Sequence, residues 1–302
     1  MKPAELGQSV PSDLEALAAR RSKLADALRA TSAPQIMGII NATDDSFFEG
    51  SRVNSSEAVE RALAMWDAGA TWVDIGGEST RPGAEPVPLE VELARVVPVI
   101  ETLRNQRPTA LISVDTRHPE VAKQALLAGA DMVNDVSGLR DPAMVDLVVA
   151  EGCAVCIMHM QGEPGTMQNE PDYEDCVSEV STALEGVRQR LMERGHPAEL
   201  IVLDPGIGFG KTQAHNLELL NAGKTIASSG KTPVLWGVSR KSIVGHLTGR
   251  QRAEDRLSGT LALAAVAQRL GIDILRVHDV EAHIDLFNAL EPFTTAQHHP
   301  PE

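Results

Sequence analysis

The chain has 302 residues, 43% of them hydrophobic but only 3% aromatic, and 42 acidic against 27 basic side chains leave a formal net charge of −15. Such a surface repels nucleic acid and anionic lipid, so any anionic ligand has to be met by cations placed locally. No apolar run reaches about 18 residues and no signal-peptide core is found at the start, which points to a cytoplasmic protein with no membrane partner.

Residues 1–33 are polar and alanine-rich. Ser12 and Asp13 suit the cap of an amphipathic helix carrying Leu14, Leu17, Leu24 and Leu28, with Pro34 ending it. A docked helix and a frayed extension are both compatible with this pattern. From Gln35 onward one unit repeats: a helical stretch, a glycine, a short apolar run, then a polar residue and a loop. Copies read A-G-A-T-W-V-D-I-G-G (68–77), A-G-A-D-M-V-N-D-V (128–136), E-G-C-A-V-C-I-M-H (151–159) and L-G-I-D-I-L-R-V-H (270–278). The glycine is the left-handed cap of a helix feeding a strand.

The apolar runs predict eight strands, near 36–41, 72–75, 111–115, 132–135, 154–158, 201–204, 234–237 and 274–277. Helical patterns lie at 56–68, 88–104, 119–128, 142–150, 172–194, 217–227, 255–270 and 280–290, with Pro88, Pro119 and Pro142 at first-turn positions. Eight such units close most naturally into an α/β (β/α)8 TIM barrel over 34–291, preceded by an N-terminal helical extension over 1–33. An open doubly wound sheet would require a phosphate fingerprint after its first strand, and Asn41-Ala42-Thr43-Asp44 is not one. Residues 292–302, with His298 and His299, read as a disordered tail. Cys153 and Cys156 have C-x-x-C spacing, but within a strand residues three apart face opposite sides, so they read as core rather than as a metal or redox pair.

The organising stretch is 201–211, I-V-L-D-P-G-I-G-F-G-K. An apolar strand delivers Asp204 to its C-terminal edge, where Pro205 and three glycines stop it. It is neither a P-loop, whose first glycine would fall on Pro205, nor a G-x-G-x-x-G dinucleotide loop. Asp204 as a simple turn cap stays open from this stretch alone.

In a barrel the strand ends present Asn41, Asp74, Asp115, Asn134, Met158 with His159, Asp204, Ser239 with Lys241, and Arg276 with His278 on one rim. Buried polar atoms left unpaired cost about 1 to 3 kcal/mol each, so a rim this polar needs partners or a ligand. Asp115, Asn134 and Asp204 suit the guanidine-like edge of a flat heterocycle, while Lys241, Arg276 and His278 supply cations, Arg276 and His278 from one side of a strand. Two glycine-rich loops, 43–51 with Phe47 and Phe48 and 76–83 with Thr80 and Arg81, have the composition of segments that close over a barrel mouth.

These residues resemble the dihydropteroate synthase family over about 35–290. The motifs are I-I-N-A-T-D-D-S-F, V-D-I-G-G-E-S-T-R-P-G-A, I-S-V-D-T, V-N-D-V-S-G, D-P-G-I-G-F-G-K, S-R-K-S and R-V-H-D-V, in the family's order. The resemblance implies condensation of p-aminobenzoate with 7,8-dihydropterin-6-ylmethyl diphosphate, releasing pyrophosphate, in a homodimer joined through the last helices. Asp115, Asn134, Asp204 and Lys241 match pterin-binding positions, together with Gly237, and Met158 and Phe209 match the ring pocket. Asn41 matches the ligand of Mg²⁺, and Arg276 with His278 the diphosphate site. Thr80 and Arg81 match the second loop, and Phe47 and Ser239 positions near the aminobenzoate.

Asp115, Lys241, Arg276, His278, Thr80 and Arg81 would then be the catalytic set. The first loop departs from the family's N-V-T-P-D-S-F-S-D-G at Ala42, Asp44, Phe48 and Glu49, and the bulk of Phe48 implies altered sulfonamide binding. Two other readings share the pocket: a barrel passing a methyl group to a corrinoid partner, which would need neither Arg276 nor the S-T-R-P-G loop, and a pterin-binding paralogue without turnover.

Overall fold

The computed structural model describes residues 13–29, 31–42, 51–78, 87–163 and 165–295. Eight parallel strands form one sheet: β1 (Gln35–Asn41), β2 (Trp72–Gly76), β3 (Leu111–Asp115), β4 (Met132–Asp135), β5 (Ala154–Met158), β6 (Ile201–Asp204), β7 (Leu235–Trp236) and β8 (Ile274–Val277). Their order is β6-β5-β4-β3-β2-β1-β8-β7, and a parallel bridge between Leu203 and Val234 joins the two ends into the expected (β/α)8 barrel. The helices are α1 (Asp13–Ala27), α2 (Ser51–Asp67), α3 (Leu89–Gln106), α4 (Pro119–Ala128), α5 (Pro142–Glu151), α6 (Cys176–Glu193), α7 (Gln213–Ala222), α8 (Ser242–Thr248), α9 (Leu257–Arg269) and α10 (Val280–Thr295).

The strands lie where the apolar runs put them, while several helix ends shift for local reasons. Asp175 caps α6 by accepting from the Ser178 N–H at 3.0 Å, so that helix starts after 172. Thr212 and His215 form a reciprocal capping box that starts α7 before 217. Helix α8, seven residues beginning after Lys241, was not expected, and α10 continues through Pro292. Pro119 and Pro142 occupy first-turn positions, whereas Pro88 is the N-cap of α3.

Strand alternation sorts the side chains into two cores. The larger lies between the strands and the helices and includes Ile40, Val73, Val114, Val133, Cys153, Val155 and Leu203. The smaller fills the inside of the barrel with Met37, Trp72, Leu111, Met132, Ala154, Cys156, Val202, Leu235 and Ile274. Cys153 and Cys156 thus fall on opposite sides of the sheet, and burial pushes the Cys153 thiol up to about 12 and the Cys156 thiol up as well, which makes both inert.

Leu24 of α1 and Leu28 just after it join the inner core, so this helix closes one end of the barrel. Gln35 fixes it there: its amide donates to the Ala27 carbonyl at 2.7 Å while accepting from the Trp72 indole at 3.0 Å. Ser12 and the side chains of Leu14 and Leu17 lie outside the described residues.

If α1 is integral to the core, Leu24→Ala leaves a void against Trp72 and its neighbours and lowers unfolding free energy by about 2 to 4 kcal/mol. Urea denaturation checks this; a change under about 0.5 kcal/mol would mean that α1 is dispensable.

Candidate active site

The inner core and the rim follow from one periodicity. On β2, Trp72 points inward, so Asp74 and Gly76 do too; on β3 the same holds for Ser113 and Asp115 after Leu111, and on β8 for Arg276 after Ile274. An apolar floor therefore carries a charged layer. Arg276 donates from Nε to Asp74 at 2.5 Å and from Nη2 to Asp115 at 2.6 Å, and the Asn134 amide donates to the same Asp74 oxygen at 3.0 Å. Asp74 is the hub that the sequence reading placed on the rim without giving it a role. Its second oxygen has no hydrogen-bond partner. Burial, opposed by Arg276 and reinforced by Asp74, pushes the Asp115 carboxyl up to about 7, and the two carboxylates hold Arg276 more firmly protonated than usual.

On the other side of the mouth stand Asp204, Phe209, Gly237 and Lys241. The Asp204 carboxylate accepts from the Gly206 N–H at 2.7 Å, and Gly206 has φ of 69° with the His159 carbonyl only 1.9 Å from where a Cβ would stand. Only glycine fits there. The Lys241 ammonium donates to the Ile207 carbonyl at 2.6 Å and lies 4.3 Å from the centre of the Phe209 ring. A side chain at Gly237 would fill the space beside both charges, its Cβ standing 3.8 Å from Lys241 Nζ and 3.9 Å from an Asp204 oxygen. Burial lowers Lys241 to about 8 and raises Asp204, each offset by the other's charge. Phe209 and Met158 share an apolar cluster with Val136, Met160 and Met167. An apolar surface thus sits beside Asp204 and Lys241.

Ser239 and His278 meet with Oγ 3.0 Å from Nδ1, and the His278 N–H donates to the same hydroxyl at 3.2 Å. Arg276 and His278 lie on one face of β8 and its extension, but Arg276 is committed to carboxylates and His278 to Ser239. Asn41 ends β1 with its side chain exposed, opposite Gly76 in register. Phe47, Phe48, Asp44, Glu49, Thr80 and Arg81 lie outside the described residues, as do His298 and His299.

Three supports were not foreseen. Arg240 adopts a left-handed φ of 59°, uncommon away from glycine, which turns the chain between Ser239 and Lys241. Thr260 Oγ1 accepts from its N–H at 3.1 Å, Arg256 donates to its carbonyl at 2.9 Å, and its guanidinium is paired with Asp279. Lys211, dismissed as the end of a false P-loop, is buried and donates to the Phe209 and His159 carbonyls at 2.9 and 3.2 Å, with burial lowering it to about 7. Tyr173 and Gln168 donate to the Gly210 and Gly208 carbonyls at 2.8 and 2.7 Å. Both S-R-K-S and F-G-K carried a basic residue next to a named site residue, which is the signal that marked them.

A family model described as pterin binding enzyme matches residues 37–278. Dihydropteroate synthase of Escherichia coli K12 is 43% identical over 265 residues, covering 87% of this chain and 93% of its own. The chain belongs to the dihydropteroate synthase family. Members of that family are transferases of folate synthesis. Dihydropteroate synthase of Xanthomonas albilineans, solved with 4-aminobenzoic acid, is 42% identical, covers 89% of this chain and 94% of its own, and superposes with a TM-score of 0.80. The Burkholderia cenocepacia synthase, solved with 7,8-dihydropteroate, is also 42% identical, with 87% and 92% covered and a TM-score of 0.80. Among the described residues no helix is long and apolar enough to cross a membrane.

Because the native Asp115 carboxyl titrates near 7 and an unfolded one near 3.8, the native state holds a proton that the unfolded chain has lost between about pH 4 and 7. Unfolding free energy then falls as pH rises through that window. Asp115→Asn removes this dependence, flattening the fall by about 1 to 3 kcal/mol between pH 4.5 and 7.5 in urea titrations; parallel curves for both proteins would show that Asp115 is ionised throughout.

Proposed function

We propose that this chain joins p-aminobenzoate to 7,8-dihydropterin-6-ylmethyl diphosphate, and that the convergence of Asp204, Lys241 and the Phe209 and Met158 bed carries the reading. A pterin is flat, with an aminopyrimidinone edge that donates from its amine and ring nitrogen. Asp204 and Asn134 are acceptors suited to that edge, Phe209 and Met158 pack its faces, and the glycine at 237 leaves room for it. Lys241 donates to the ring's acceptors. Asp115, held beside Arg276, favours electron release from the ring.

The C–O bond between the pterin methylene and the diphosphate breaks, the leaving group keeping the electron pair, and the arylamine nitrogen forms a new bond to the same carbon and sheds a proton. The electron-rich pterin stabilises the positive charge on the methylene, so no protein nucleophile is needed. Arg276 and His278 bind the departing diphosphate, which requires Arg276 to loosen one of its two carboxylate contacts as the anion enters. By the resemblance, Thr80 and Arg81 belong to the second loop, and Ser239 and Phe47 to the aminobenzoate site; of these only Ser239 is among the described residues.

Asn41 fits Mg²⁺: a single exposed amide oxygen suits an ion that keeps its waters and is carried mainly by phosphate oxygens. When bound, Mg²⁺ neutralises charge on the leaving diphosphate. We also infer a cytoplasmic homodimer joined through the last helices, where Phe293 of α10 is 71% exposed.

Pyrophosphate release on mixing the pterin diphosphate with p-aminobenzoate is the direct test; retention of pterin without release would instead mark a binding protein. Asp204→Asn is expected to lower kcat/KM by about 30- to 150-fold, since a charge-assisted contact worth about 2 to 3 kcal/mol is lost, while the melting temperature changes little. Equal loss of stability and activity would assign Asp204 to the fold rather than to the ligand.

A further inference from the structure

A second convergence of side chains lies just beyond the end of β2. Glu78 follows Gly76 and Gly77, Glu92 is in the first turn of α3, and His118 is the N-cap residue of α4. One ligand atom from each lies within 4.8 Å of the other two. Glu92 is 0% exposed, and neither of its carboxylate oxygens has a hydrogen-bond partner. The Nε2 of His118 has none either, standing 3.8 Å from a Glu92 oxygen.

Glu78 is different. Arg117 grips it through two bonds of 3.0 Å, and it also accepts from the Val87 N–H at 3.2 Å. Arg117 therefore neutralises Glu78 and leaves Glu92 facing the His118 imidazole at 3.8 Å, within ion-pair range but beyond a hydrogen bond.

Protonating Glu92 does not resolve this. Burial pushes its carboxyl up, and the nearby Thr116 hydroxyl eases the charge without reaching hydrogen-bond geometry, yet a neutral acid would still leave its oxygens and the imidazole nitrogen unpartnered. Three unpartnered polar atoms, two of them on a fully buried carboxylate, aimed at a third ligand group are accounted for by a cation.

We propose that Glu78, Glu92 and His118 bind a divalent transition-metal ion, best matched by Zn²⁺, at the neck of segment 79–86. One imidazole nitrogen with two carboxylate oxygens is a mixed donor set that suits Zn²⁺, whereas Mg²⁺ takes oxygen and water. Zinc bonds of about 2.0 to 2.2 Å place tetrahedral ligands roughly 3.4 Å apart, so small side-chain rotations close the present spacing. Arg117 then becomes the outer partner that orients a ligating carboxylate. Because Glu78 precedes the segment and its carboxylate holds the N–H of Val87, just after it, the ion joins both ends of 79–86. This site is distinct from Asn41 in position and in donor chemistry, and it does not depend on the reaction proposed above.

Equilibrium dialysis of the full chain against Zn²⁺, followed by metal analysis, tests it. One equivalent per chain is expected, retained in millimolar Mg²⁺ and in a His298→Ala, His299→Ala control, and weakened by at least about 10- to 100-fold in Glu92→Gln and in His118→Ala. Zn²⁺ should raise the melting temperature of the wild type and not of those two variants. Glu92→Gln keeps the side-chain shape while removing a buried charge, so its fold is checked independently by circular dichroism. Failure to bind Zn²⁺ stoichiometrically, or undiminished binding in both variants, overturns the proposal.

Discussion

The guanidinium of Arg276, held between Asp74 and Asp115 inside the barrel mouth, is the interaction on which the arrangement of the site rests. The two carboxylates come from adjacent strands, β2 and β3, and the cation from β8, with β1 between. All three side chains are largely or wholly withdrawn from water, so removing any one leaves an uncompensated charge at a cost of about 3 to 5 kcal/mol. The same ion pairs tie the register of three strands to one point. A strand shifted by one residue would send its charge into the apolar layer facing the helices.

Above the apolar floor, this network divides the mouth into an acidic side and a basic side. The first is the Asp74, Asp115 and Asn134 group; the second contains Lys241 on Phe209, with Asp204 beside it. Each charge is matched locally, which is how a chain of net charge −15 keeps cations at the barrel mouth. The turn at Arg240 and the buried Lys211 are part of the same design. They hold Lys241 and the 206–210 loop by main-chain contacts, so the apolar cluster around Phe209 is fixed by the fold itself.

The two proposed metal sites differ in donor type. Asn41 offers a single exposed oxygen, useful to an ion that arrives with its own phosphate ligands. Glu78, Glu92 and His118 instead enclose a nitrogen and two carboxylates beside a rigid helix start, where the donor set would choose the metal.

Amino-acid order alone determined the barrel and most of the rim. Apolar runs of four to six residues between glycine-capped helices are a local pattern, so the eight strands, the inward direction of Asp74, Asp115, Asn134 and Arg276, and the opposite facing of Cys153 and Cys156 could all be read from a period of two. Helix starts were less legible, because the caps of α6 and α7 are made by single side chains at Asp175 and Thr212 within longer helical stretches. What only the tertiary structure decided is partnership across distance: that Arg276 is shared by two carboxylates 202 and 161 residues away, that Lys211 braces a loop, and that Glu92 meets Glu78 and His118. Those pairings depend on which strands become neighbours when the sheet closes, and no spacing along the chain encodes a contact made by closure.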